Sequence, residues 1–207
     1  MKKARYFTKQ KPTNIIELND NKLYVFICLN ETYGVYENNE QTNSEKYVEY
    51  DYNEFVVNKD SVDVEDIENN PEKYLEYTPD PQVDEMTLDE YKLLRQEENK
   101  KLLDDFLKNK TVMYNGKEYG VSEEDQNEMA LNFTQYQVLD SAGQNVSLEW
   151  HSKKAKCEIF TQEEFIELIS IIKSYVYPYY QKMQDIKSAI FNCKNKFELS
   201  TIEIKYE

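Results

Sequence analysis

The chain has 207 residues, 40% apolar and 14% aromatic, which suits one domain or two small ones with modest cores. Eighteen Tyr and nine Phe carry much of the apolar mass, and four Gly in all argue against a glycine-rich phosphate loop or a dinucleotide-binding turn. The formal net charge of −15 excludes a basic nucleic-acid surface, because the phosphate interaction needs clustered Lys and Arg.

The charge is concentrated. Residues 37–98 hold 20 acidic and 5 basic groups, which by themselves equal the whole imbalance. A solvated surface and linker is the plainer account of this block. An acidic decoy for a DNA-binding protein is the sharper one. A decoy should hold its carboxylates at duplex-like spacing on rigid elements, and much of this block reads as loop.

The basic stretch from Met1 to Pro12 lacks the apolar core of a secretory signal, and no apolar run approaches a membrane span. The expected setting is a cytoplasm. Without a secretory signal, the Asn-x-Ser/Thr matches at Asn30, Asn109, Asn132 and Asn145 carry little meaning.

Residues 1–77 read as a β-rich N-terminal domain. Lys22 to Leu29 is a nearly continuous apolar run, as in a central strand covered on both faces. Tyr47 to Val57 alternates, with Val48, Tyr50 and Tyr52 on one face and Glu49, Asp51 and Asn53 on the other. A long antiparallel hairpin with a loose polar tip at Glu37 to Ser44 joins the two. Tyr6-Phe7 and Ile15-Ile16 supply further strand candidates. Asp63 to Tyr77 reads as a short helical or turn segment, with Pro71 in the first turn of a helix.

Residues 78–110 read as a Pro-marked linker and connector helix. Thr78-Pro79-Asp80-Pro81 favours extended backbone. Thr87-Leu88-Asp89-Glu90 is a capping box opening a helix to about Asn109. Its expected apolar face is Leu88, Tyr91, Leu94, Leu102 and Phe106, interrupted by Glu98.

Residues 111–207 read as an α+β C-terminal domain. Asn115-Gly116 marks a tight hairpin pairing Tyr114 with Lys117 and Val112 with Tyr119. Ser122 caps a helix to about Leu139 carrying Met129, Phe133 and Tyr136. Val146–Trp150 and Ala155–Phe160 form a second hairpin. Thr161-Gln162-Glu163-Glu164 is another capping box. It opens the longest helix, to about Cys193, which Pro178 should kink or split. Thr201 to Tyr206 reads as a short last strand. The fold class is α+β: a β-rich N-terminal domain, a connector helix, and a hairpin–helix–hairpin–long helix domain.

Carriers of chemistry are few. His151, the single His, is expected exposed in a hairpin turn, where solvation is its ordinary role. No Gly-x-Ser-x-Gly elbow supports a triad. Cys28, Cys157 and Cys193 sit among apolar neighbours and read as small buried hydrophobes; with one His they compose no zinc constellation. Carboxylates are so plentiful that no pair stands out: Glu123-Glu124-Asp125 and Asp104-Asp105 read as helix-end and surface charges. No metal, cofactor or catalytic residue is expected. Tyr175, Tyr177, Tyr179 and Tyr180 bracket Pro178. They read either as core packing or as an aromatic interface for another subunit or a sugar. The length of their helix favours contacts with other copies of the chain.

Tyr114-Asn115-Gly116-Lys117-x-Tyr119, Gln126 in the following helix, Leu148-Glu149-Trp150, and a Thr-capped helix leading through Tyr175-Val176 occur here in one order. Together with the preceding Leu88-Asp89-Glu90-Tyr91-Lys92 to Phe106-Leu107 helix, this succession resembles a domain of unknown function found in tailed-phage and prophage tail-region proteins. The resemblance covers about residues 88–206 and brings no catalytic residue. It implies a structural, non-enzymatic part of a tail or baseplate, associated with tail fibres. Its partners would be other phage tail proteins. It would be made in the host bacterial cytoplasm and sit in the virion tail. An assembly chaperone for a tail fibre is the alternative, and an acidic anti-defence protein is the alternative from another class.

Overall fold

The computed structural model describes residues 2–37 and 44–207. The fold is α+β. The chain forms two compact units, residues 1–93 with 193–201, and residues 94–192 with 202–207. The expected boundaries at 77/78 and 110/111 are thus not where compactness changes. The Pro-marked stretch lies inside the first unit, and a late segment returns to it.

In the first unit, β1 (Lys2–Tyr6), β2 (Thr13–Glu17), β3 (Lys22–Glu37) and β4 (Ser44–Asn58) make an antiparallel sheet in the order β1-β4-β3-β2. The expected long hairpin is the β3–β4 pair, and its polar tip lies outside the described residues. The strands Tyr6-Phe7 and Ile15-Ile16 suggested are β1 and β2, Phe7 lying just past β1. One sheet face packs Leu23, Val25, Ile27, Phe55 and Val57 against α1 (Val64–Asn69) and the 3₁₀ turn Pro71–Tyr74, through Ile67, Tyr74 and Leu75. The other face holds a smaller cluster of Cys28, Val48 and Tyr50, edged by Tyr6, Phe26 and Tyr52. Cover over β3 is therefore unequal on its two faces.

The alternation in β4 misleads at two positions. Asp51 and Asn53, on the polar face by sequence, are buried on the main-core face. Asn53 Nδ2 donates to the carbonyls of Tyr74 (2.7 Å) and Tyr77 (2.8 Å), so it fastens the segment after β4 to the sheet. Asp51 pairs with Lys3 Nζ at 2.6 Å and accepts from Asn30 Nδ2 at 2.7 Å. A buried polar group is tolerated when it is paired: Asn53 is by its two hydrogen bonds, and Asp51 by a hydrogen bond at Oδ2 and the Lys3 ion pair at Oδ1.

The acidic block is mostly ordered structure rather than loop. Asp63 caps α1, and Asp80 caps α2 (Pro81–Glu85). Asp66 accepts from Lys73, Tyr74 and Asn70. Asp84 accepts from the Asn58 amide and from Ser61 Oγ. Short helices carry many unpaired N–H groups per residue, and carboxylates at their first turns satisfy them.

α3 (Leu88–Leu107) opens on the expected capping box: Thr87 N donates to Glu90 Oε2 at 2.8 Å, and Glu90 N to Thr87 Oγ1 at 3.2 Å. Its buried face is only in part the expected one: Tyr91 is buried and Phe106 packs against the core, but two expected leucines are not covered. Tyr91, Asn99, Leu103 and Leu107 are buried at i, i+4 spacing, with Arg95 largely covered, whereas Leu94 and Leu102 are exposed. Asn99 Nδ2 donates to Met183 O, and Asn99 Oδ1 accepts from Tyr206 OH; Arg95 donates to Ile202 O. Residues 202–207 accordingly form no strand. The Ile202 carbonyl and the Tyr206 hydroxyl pair with α3 side chains rather than with a strand edge.

In the second unit, β5 (Thr111–Tyr114) and β6 (Lys117–Gly120) form the expected Asn-Gly hairpin, with φ of +48° at Asn115 and +76° at Gly116. α4 (Glu123–Ser141) begins at a capping box formed by Ser122 and Asp125. β7 (Leu148–His151) and β8 (Cys157–Phe160) form the second hairpin, linked to the first by Lys153 N to Glu118 O at 2.8 Å. α5 (Gln162–Asn192) starts at Thr161, whose capping box with Glu164 is complete, and runs unbroken through Pro178. α6 (Lys196–Ser200), next in the chain, belongs to the first unit. The shared core includes Leu103, Tyr119, Met129, Trp150, Phe165 and Leu168.

Candidate functional site

α5 repeats apolar residues at helical spacing all along its length, more than one packing face requires. Phe165, Leu168, Ile172 and Val176 fill the core. Ile169, Lys173, Tyr177 and Tyr180 lie along the flank toward α4, which contributes Gln126, Met129 and Ala130. Between these two flanks runs a mainly apolar groove of about 360 Å³. Met129, Ile172 and Val176 make its buried floor, and Tyr177, 54% exposed, stands on its rim.

The four tyrosines do not act as one cluster. Tyr175 and Tyr179 lie 5.7 Å apart, ring centre to ring centre, and Tyr179 packs on Phe106 at 4.8 Å, with Tyr206 beyond. Burial raises the Tyr175 and Tyr206 hydroxyls above their ordinary pKa. This pair packs, half-buried, against the core. Tyr177 and Tyr180 belong to the groove instead. Gln126 Nε2 donates to Val121 O at 2.8 Å and reaches Tyr180 OH at 3.4 Å, which fixes one end of the groove. The rotation of 100° per residue separates neighbours in sequence onto different faces. The α4 wall is half legible: Met129 shows helical spacing with Phe133 and Tyr136, but Ala130, on the wall beside it, gives no signal of its own.

Near the Tyr180 end stands a carboxylate pair. Glu123 is one turn before Gln126 on α4, and it lies beside Asp104 of α3. Burial first, then the charge of Glu123, raises the Asp104 carboxyl above its ordinary range. Burial raises Tyr180 too, assisted by the negative charges of Glu123 and Asp104. Lys100 approaches Glu123 only to 4.0 Å.

The other candidate chemistry is dispersed. His151 is half-buried at the end of β7, its ring 5.1 Å from that of Trp150, rather than exposed in the turn. Cys28 is buried, and burial pushes its thiol up to about 11. Cys193 is half-buried, but Cys157 is exposed, because the β7–β8 hairpin turns that side of its first residue outward. Among the described residues no group of His, Cys, Asp and Glu is placed to hold a metal ion, and no helix is long and apolar enough to cross a membrane.

A second, more polar cavity of about 360 Å³ lies in the first unit beside Tyr77, Asp84 and Lys196. Its polar groups already serve the fold. Buried Lys196 donates to Asp84 O at 2.8 Å, and Asp84 holds Asn58 and Ser61. Comparison with family models, with curated proteins and with solved structures returns no match for this chain.

Proposed function

We propose that this chain is a non-catalytic structural component of a phage or prophage tail or baseplate, associated with tail fibres, which docks through the groove between α4 and α5. The observation that carries the docking role is the groove itself: an apolar floor left open at the surface, rimmed by a half-exposed tyrosine. Tyrosine at such a rim offers a large apolar body and a wet hydroxyl, a combination favoured at protein interfaces. The tail setting is supported by the resemblance over residues 88–206.

Ala130 is exposed on the α4 wall, so Ala130→Arg should block the groove without touching the core. Particle yield should fall about five- to thirtyfold, the size expected for losing an interface anchor worth about 1–2 kcal/mol. His151→Ala, in protein that remains folded, should leave yield unchanged. Proteomics of purified particles then separates a tail component, present at fixed stoichiometry, from an assembly chaperone, absent from particles. Normal yield with Ala130→Arg and lost yield with His151→Ala would overturn the reading.

A further inference from the structure

The groove carries both halves of a self-complementary contact. Its exposed knob is Tyr177 and its hole is floored by Met129, Ile172 and Val176, on the same unit. Lys173, exposed, lies along it, and the Asp104–Glu123 carboxylates stand at the Tyr180 end. A pairing between copies is isologous when the same patch serves both, so each feature must find its complement across a two-fold axis.

We propose that the chain pairs with a second copy of itself through this groove, α5 antiparallel to α5 about a two-fold axis beside Val176 and Tyr177. An axis midway between these residues sets position 173 opposite 180 and position 177 opposite 176. Each Tyr177 then seats over the partner subunit's Val176, a knob entering a hole in the manner of packed helices. Each Lys173 meets the partner subunit's Tyr180 end, where Asp104 and Glu123 hold more negative charge than Lys100 offsets. The carboxylate pair is thus the complement of a cation on the same helix flank two turns away. Repulsion between copies is smaller on this unit than on the other, since its residues, 94–192 and 202–207, hold 18 acidic against 13 basic groups, a net −5 of the chain's −15.

This pairing rests on the docking role of the groove proposed above and names the partner. The test is the mass of the full-length chain by sedimentation over a concentration series. The wild type should reach twice the chain mass at high concentration. Tyr177→Arg should remain monomeric with an unchanged circular dichroism spectrum. Lys173→Glu and Glu123→Lys, each alone, should weaken the dimer at least about tenfold by setting like charges together. The double variant restores opposite charges across the axis and should recover most of the affinity; its recovery also excludes misfolding of either single variant. A wild type that stays monomeric, a dimer indifferent to Tyr177→Arg, or a double variant as weak as the singles would overturn self-pairing. None of these outcomes decides the assembly role, which stands or falls on the particle-yield experiment with Ala130→Arg.

Discussion

Asn53 sits at an outward position of an alternating strand by sequence, yet it is buried and holds two carbonyls of the following segment. Replacing it with Ala leaves those acceptors unpaired within the first unit. Each unsatisfied buried group costs about 1–3 kcal/mol, so Asn53→Ala should destabilise the protein by roughly 2–3 kcal/mol in a chemical denaturation experiment. An unchanged midpoint would mean that water replaces the amide. Asp66 makes a pH-dependent contribution. Its bond from Lys73, then those from Tyr74 and Asn70, lower its pKa below the ordinary carboxylate value. A group with a depressed folded pKa contributes stability above its unfolded pKa and loses it as pH falls through the folded one. Asp66→Asn should therefore flatten the acid-side decline of stability, leaving a smaller difference from wild type at low pH than at neutral pH. Parallel pH profiles for the two proteins would refute that assignment.

At the scale of elements, helix starts and tight turns were legible because their determinants are local. Thr87 with Glu90, Thr161 with Glu164 and Asn115 with Gly116 each act within four residues. Gly116 has φ +76° and open space around the position a Cβ would take. Gly116→Val should accordingly cost about 1–3 kcal/mol through backbone strain alone. Thermal denaturation of the variant reads this directly, and an unchanged midpoint would exclude the left-handed turn. Gly120 is the opposite case. A Cβ there would lie 2.3 Å from the Asp125 carboxylate, the group that closes the α4 capping box. Here closeness, not φ, requires glycine. Buried faces were harder to assign. On α3 the hydrophobic stripe pointed to Leu94 and Leu102, whereas the covered line runs through Asn99 to Leu103 and Leu107. The polar members of that line have partners from far along the chain, at Met183, Ile202 and Tyr206, which periodicity within one helix does not contain.

At the scale of the whole molecule, each unit is built from two separate stretches of chain. Leu199 is fully buried in the first unit, near the far end of the sequence, and Phe197 stacks on Tyr74 with ring centres 4.2 Å apart. Leu199→Ala should cost about 2–4 kcal/mol, the range for emptying a buried leucine site. The loss should appear as faster amide exchange in β3 and β4, and unchanged exchange there would separate residues 193–201 from that core. The sequence by itself determined the α+β class, the two hairpins of residues 111–160, the capped starts of α3, α4 and α5, and the concentration of charge in residues 37–98. All of these depend on residue type and near-neighbour spacing. Only the tertiary structure decided that residues 193–201 complete the first unit. It also decided that Asp51, Asn53 and Asn99 face inward, and that Tyr177 and Tyr180 open onto a groove while Tyr175 and Tyr179 pack, half-buried, beside Phe106 against the core. These depend on hydrogen-bond partners and packing surfaces brought together from distant parts of the chain, and a helix or strand pattern records its own period but not the surface it meets.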